Sequence, residues 1–163
     1  MEDSLHFVKN IRAGVEQVFR FLTDPLLRQR WQVPANMSAK LHHFDRRVVG
    51  EYRLSLYYKG EAKLASGKTA ALEDRYNASF LEIVPGKKIV QSEQLERPDP
   101  ACRLPMGFEA QFQEIGKGTR LTLIFSQVPA VIDPVVHALG IRSALAKLAQ
   151  LAERKAAKDV RAG

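Results

Sequence analysis

The sequence predicts an α+β domain: a curved antiparallel sheet of six to seven strands wrapped around a long C-terminal helix, with two short helices after the first strand. Three observations carry this. From Asp133 to about Lys158, Ala138, Ile141, Leu145, Leu148 and Ala152 recur at three-and-four spacing and draw one apolar stripe along a helix. Between Met37 and Val128 the apolar period is two, as half-buried strands require. The links between those strands are short, which favours hairpin neighbours.

Each element has its own signal. Leu5 to Ile11 is a short β-leaning run, broken by Arg12-Ala13-Gly14. Val15 to Thr23 switches to helical spacing through Val15, Val18, Phe19 and Leu22, and Asp24-Pro25 both stops this helix and starts the next. Leu26 to Trp31 makes that second short helix, which ends before Pro34 because a residue preceding proline is pushed out of the α region. Met37 to Phe44 is a strand, and Asp45-Arg46-Arg47 its turn. Val48 to Tyr58 alternates most clearly, with Tyr52, Leu54, Leu56 and Tyr58 on one face and Glu51, Arg53 and Ser55 on the other. Lys59 to Lys68 reads as a loop. Ala70 to Val84 is a strand whose alternation slips near Glu82, the mark of a bulge. Pro85-Gly86-Lys87 turns the chain into Lys88 to Glu96. Arg97 to Pro105 holds three prolines and reads as irregular. Met106 to Ile115 and Thr119 to Val128 are strands joined by the Gly116-Lys117-Gly118 hairpin turn. Asp133-Pro134 opens the last helix with an N-cap and a proline at its first position. The whole of 1–163 reads as one domain, with a frayed tail at 159–163.

Composition narrows the function classes. The chain has 163 residues, 45% hydrophobic and 26% charged, as for an ordinary soluble domain. No apolar run approaches the ~20 residues that span a bilayer. The start, Met1-Glu2-Asp3-Ser4, is acidic and unlike a secretory or transit signal. Cys102 is the single cysteine, so no intrachain disulfide forms and a cytoplasmic setting is expected. Lys and Arg exceed Asp and Glu by 25 to 18, but the basic residues (Arg28, Arg30, Arg46, Arg47, Lys87, Lys88, Lys117, Lys155, Lys158) are scattered and read as a solvated surface, with no nucleic-acid motif beside them.

Catalytic and metal motifs are missing. His6, His42, His43 and His137 lack ligand spacing, and adjacent strand residues His42 and His43 point to opposite faces. Cys102 reads as a plain thiol. There is no G-x-S-x-G, P-loop or G-x-G-x-x-G, so no metal and no cofactor is expected. What remains is a set of inward-pointing candidates: Tyr52, Leu54 and Tyr58 on one strand face, Phe80, Phe108, Phe112 and Phe125 on others, and Leu139, Ser143 and Ala146 beside the helix stripe. Trp31 is either a cavity wall or a plug between helices and sheet. Each of these residues alone reads as core; together they line whatever gap the helices leave over the sheet. Glu93 shares parity with Ile89, Gln91 and Leu95, and the pattern leaves open which face is inward. An inward face would bury the carboxylate, raise its pKa and make it the acid–base candidate. An outward face would make it an exposed strand carboxylate.

Five segments in order carry a family resemblance: Ile11-Arg12-Ala13 with Val18-Phe19; Leu22-Thr23-Asp24-Pro25 with Trp31 and Pro34; Val49-Gly50-Glu51-Tyr52-Arg53; Gly118-Thr119-Arg120-Leu121-Thr122-Leu123; and Gly140 with Ala144-Leu145-Ala146-Lys147-Leu148. The chain resembles the helix-grip superfamily, also called START-like or SRPBCC, and within it the group named for the C-terminal domain of the activator of the heat-shock-protein-ninety ATPase. The family commonly has Gly-Trp where this chain has Gly140-Ile141, which bears on cavity shape, and two adjacent glycines where it has Val49-Gly50. The resemblance implies a helix-grip fold with an apolar or aromatic small molecule held between sheet and C-terminal helix.

Three functions follow as expectations. One is a binding module whose ligand site comprises Trp31, Tyr52, Leu54, Tyr58, Phe80, Phe108, Phe112, Phe125, Leu139 and Ser143. Another is a cyclase- or hydrolase-type enzyme using Glu93, Tyr52 and Arg53, although Arg53 has the opposite parity to Tyr52. The last, co-chaperone activity on a heat-shock ATPase, rests on the family name. A strand edge or the C-terminal helix offers a surface for homodimerisation.

Overall fold

The computed structural model describes residues 4–32, 37–44, 50–58, 73–96, 105–130 and 132–162. Strand β1 (Ser4–Ile11) is followed by helices α1 (Val15–Thr23) and α2 (Pro25–Trp31). Strands β2 (Met37–Phe44), β3 (Glu51–Tyr58), β4 (Glu73–Val84), β5 (Lys88–Leu95), β6 (Met106–Ile115) and β7 (Gly118–Ser126) come next, and α3 (Pro134–Ala162) closes the chain. The predicted elements are all present. Helix α3 runs to Ala162.

The seven strands form one antiparallel sheet in the order β1-β7-β6-β5-β4-β3-β2. Strands β2 to β7 are a meander, while β1 returns to pair with β7. Since β1 and β2 lie on opposite edges, the α1–α2 segment between them must cross one face of the sheet. It does so with α1 against β6 and β7 and α2 against β2. Helix α3 then makes its main backbone approaches to β1, α1 and α2. Three helices therefore share one face, and that face is the inside.

Asp24 sits at the junction of α1 and α2. Its backbone N–H donates to Arg20 O at 2.8 Å, ending α1, and its Oδ1 accepts from the N–H groups of Leu26 at 2.9 Å and Leu27 at 3.5 Å, starting α2. One residue thus satisfies orphan groups of two helices. In β4 the register shifts between Phe80 and Glu82, the predicted bulge. Leu81 is the extra residue, so Leu81 and Glu82 both face outward while Phe80 faces the core. Along α3 the stripe lies inward as predicted, with Leu145, Leu148 and Ala152 buried and Ala138 and Ile141 half-buried against the core. No helix among the described residues is long and apolar enough to cross a membrane.

Candidate functional site

The inner face of the sheet carries two cross-strand rows. One row runs Tyr52, Ala78, Glu93, Met106 across β3 to β6. The other runs Phe80, Gln91, Phe108, Phe125 across β4 to β7. All eight side chains are buried. The question left open for β5 is thereby answered: Ile89, Gln91 and Glu93 point inward. Two polar residues stand next to each other on an otherwise apolar and aromatic surface.

These polar groups bond to one another. Gln91 Nε2 donates to the Tyr52 hydroxyl oxygen at 3.0 Å and to Glu93 Oε1 at 3.1 Å, and the Tyr52 O–H points to Glu93 Oε1 at 3.5 Å. Tyr52 reaches across β4 to do this. The residue between it and Glu93 is Ala78, whose methyl leaves the path open.

Helix α2 supplies a cation. Arg28 is 1% exposed, and its guanidinium lies 4.6 Å from the centre of the Tyr52 ring. Its Nε donates to Gln32 Oε1 at 2.6 Å and its Nη1 to the Leu22 carbonyl at 2.7 Å. Trp31 Nε1 donates to the Phe21 carbonyl at 2.6 Å. Phe21 and Leu22 are in the last turn of α1, where carbonyls lack helical partners. Arg28 and Trp31 therefore cap α1 while facing the sheet. A desolvated guanidinium over an aromatic face is worth about 2 kcal/mol. The reading of Arg28 as part of a solvated surface is corrected: the phase set by Asp24-Pro25 turns Arg28 inward and leaves Leu26, 77% exposed, outside.

Electrostatics follow burial. The Tyr52 phenol is pushed up from 10.0 to about 12, mainly because desolvation penalises the phenolate. The Arg28 charge opposes that rise, the Glu93 charge adds to it, and hydrogen bonds with Gln32 and Gln91 oppose it. The Glu93 carboxyl is also raised, again chiefly by desolvation, with Arg28 and the Tyr52 hydrogen bond opposing.

The other predicted residues divide into groups. Trp31, Tyr52, Leu54 and Phe80 are buried, with the Tyr52 and Phe80 rings 5.7 Å apart. Phe108, Phe112 and Phe125 are buried towards β1, α1 and α3. Phe125 packs on Phe7 at 5.9 Å, Phe108 at 5.1 Å and His137 at 4.9 Å, and Phe112 packs on Phe19 at 5.2 Å. Ser143 is half-buried. Leu139 is corrected: it is 61% exposed, because one residue beyond Ala138 turns it about 100° off the inward stripe, and Ala146 is exposed for the same reason. Arg53 lies on the outer face, bonded to Asn77 Oδ1 at 3.0 Å and to Glu96 Oε1 at 3.1 Å, and takes no part in the cluster. The Tyr58 side chain and Cys102 lie outside the described residues, as do the expected turn at Asp45-Arg46-Arg47, the loop from Lys59 to Lys68 and most of the proline-rich link. His42 Nε2 is 2.7 Å from Ser55 Oγ. Among the described residues, no three His, Cys, Asp or Glu side chains are grouped to hold a metal.

A seven-stranded antiparallel sheet with one face covered by two crossing helices and a long C-terminal helix defines the helix-grip class. The chain belongs to the family described as activator of Hsp90 ATPase homolog 1-like protein, which matches residues 12–153. Its fold is similar to that of solved bacterial proteins. Protein CV1439 from Chromobacterium violaceum is 23% identical with a TM-score of 0.81, over 92% of this chain and 96% of that one. Mll3558 from Rhizobium loti is 25% identical with a TM-score of 0.71, over 92% and 96%. NE0264 from Nitrosomonas europaea is 21% identical with a TM-score of 0.71, over 93% and 95%. No curated protein matches the chain.

Proposed function

We propose that the protein binds a small apolar or aromatic molecule between the inner face of β3–β6 and the helices, with its polar end on the Tyr52–Gln91–Glu93 cluster. One observation carries this reading: a connected polar cluster, capped by a buried cation, on a sheet face otherwise made of Phe80, Phe108, Ile89, Leu54 and Met106. Burying such groups costs free energy that an all-apolar core would avoid. A binding site, by contrast, needs a few oriented polar groups among apolar walls. Family membership supports a ligand-binding type of fold.

Native mass spectrometry of the purified protein, before and after organic extraction, tests this. An apolar molecule that co-purifies and is removed by extraction supports it. A bare mass, under conditions that keep a control complex intact, counts against it.

The raised carboxyl of Glu93 beside the Tyr52 hydroxyl favours a second reading, acid–base catalysis on the bound molecule. Glu93 would move the proton and Tyr52 would donate a hydrogen bond to the developing charge. Conversion of the co-purified molecule by wild type but not by Glu93→Gln would establish it. Release of the molecule unchanged from both would leave binding alone.

A further inference from the structure

Gln91 has a second polar atom that the cluster does not use. Both bonds from its amide leave Nε2, while Oε1 is buried and has no hydrogen-bond partner among the described residues. Buried carbonyl oxygens are nearly always satisfied, and one left unmet costs about 1–3 kcal/mol. Gln91 itself stands between Phe80 and Phe108 in the cross-strand row, so aromatic residues flank it on both neighbouring strands.

The charges around it restrict what can meet it. An anion has no proton to give and would bring its lone pairs against the Gln91 Oε1 acceptor. A cation would lie near the Arg28 guanidinium, which already covers the Tyr52 ring at 4.6 Å. An ether or ketone has no proton to offer and leaves the oxygen unmet. A neutral O–H or N–H satisfies it.

Building on the binding reading above, we propose that Gln91 is a specificity-determining residue, and that the ligand is an uncharged aromatic or apolar molecule bearing a hydroxyl or N–H donor, a phenol being the simplest member. Gln91 Oε1 accepts the donor's proton and the body lies along Phe80 and Phe108. The ligand's own oxygen or nitrogen faces the Tyr52–Glu93 pair.

Calorimetric titration with 4-propylphenol, 4-propylanisole and propylbenzene tests this. The anisole is the more apolar of the two oxygenated probes, so burial alone ranks it above the phenol. A hydrogen bond to Gln91 reverses that order, and the phenol is expected to bind about tenfold tighter or more. In Gln91→Leu the preference of phenol over anisole is expected to vanish. The wild-type ratio stands without the variant, should Gln91→Leu fail to fold by circular dichroism. Equal affinities for phenol and anisole overturn the assignment of Gln91 while leaving interior binding intact. A preference for anisole also overturns it, because the amide would then be presenting its N–H. Absence of binding by all three probes overturns the interior-binding reading itself, and this inference with it.

Discussion

The Tyr52 hydroxyl is held where its ionised form is costly. The unfolded phenol titrates near 10.0 and the folded one at about 12, so between those values the folded state holds a proton that the unfolded state has lost. Stability is therefore present below pH 10 and falls as pH rises towards 12. The difference corresponds to roughly 3 kcal/mol over that window. Tyr52→Phe is expected to remove this slope, and urea midpoints between pH 9 and 12 would show it. A parallel slope in the variant would mean that Tyr52 ionises as freely as an exposed tyrosine. Glu93 acts in the same direction at lower pH. Its folded value lies above its ordinary 4.5, so its contribution is complete below pH 4.5 and is lost as pH rises through the folded value. Glu93→Gln keeps the shape and removes the charge. It is expected to flatten stability against pH from acid to neutral and to leave the protein at least as stable as wild type at pH 8. A variant that keeps the wild-type slope would place the titration elsewhere. The inward direction of Tyr52, Leu54 and Phe80 was legible because a strand has two faces and its apolar residues choose between them. For Glu93 the alternation narrowed the answer to one of two faces, and only the packing of β5 between β4 and β6 decided it. Arg28 was not legible. The ordinary rule puts arginine outside and leucine inside, and here Leu26 and Arg28 exchange those places because the Leu22 carbonyl and the Tyr52 ring receive the guanidinium.

At the scale of elements, the site depends on how α2 is held. This helix has seven residues, too few to be stable alone, yet it presents both Arg28 and Trp31. The Asp24 cap is what starts it. Asp24→Ala is expected to cost about 1 kcal/mol, a fall of roughly 2–4 °C in Tm for a chain of this size. The same variant should weaken binding of any ligand seated under α2. An unchanged Tm would show that the tertiary bonds of Arg28 and Trp31 hold α2 without the cap. Helix α3 gives the opposite case. Gly140 lies within it, and a Cβ built there meets nothing within 4 Å. Gly140→Ala is therefore expected to stabilise the protein by about 1 kcal/mol through helix propensity alone, read as a higher urea midpoint at unchanged slope. The α3 start and stripe were plain in the sequence because Asp133-Pro134 starts the helix and the spacing repeats for about four turns. The three residues placed beside the stripe, Leu139, Ser143 and Ala146, were beyond that signal. A stripe's edge is set by how deeply the helix settles on its neighbours, and α3 settles on β1, α1 and α2 so that Leu139 stays outside.

For the whole molecule, one cooperative unit is the natural consequence of the topology. Strand β1 pairs with β7, α1 and α2 cross between opposite edges of the sheet, and Arg12 N–H donates to Glu153 Oε2 at 2.9 Å, tying the first crossover to the last helix. The start, middle and end of the chain thus share one core. A ligand that binds this folded core and not the unfolded chain stabilises all of it by mass action, about 2.7 kcal/mol at a hundred times its Kd. That corresponds to a rise of roughly 5–11 °C in Tm. Trp31 is the single tryptophan, buried and bonded to the Phe21 carbonyl, so its emission reports the α1–α2 junction, whereas far-ultraviolet circular dichroism reports the sheet and α3. With 4-propylphenol at saturating concentration, both signals are expected to shift to the same higher midpoint. If Trp31 melts first and only its transition moves with ligand, α2 opens as a separate unit and works as the door to the interior. If both transitions coincide and neither moves, the phenol does not engage the folded interior, and the polar cluster serves to hold α2 on the sheet.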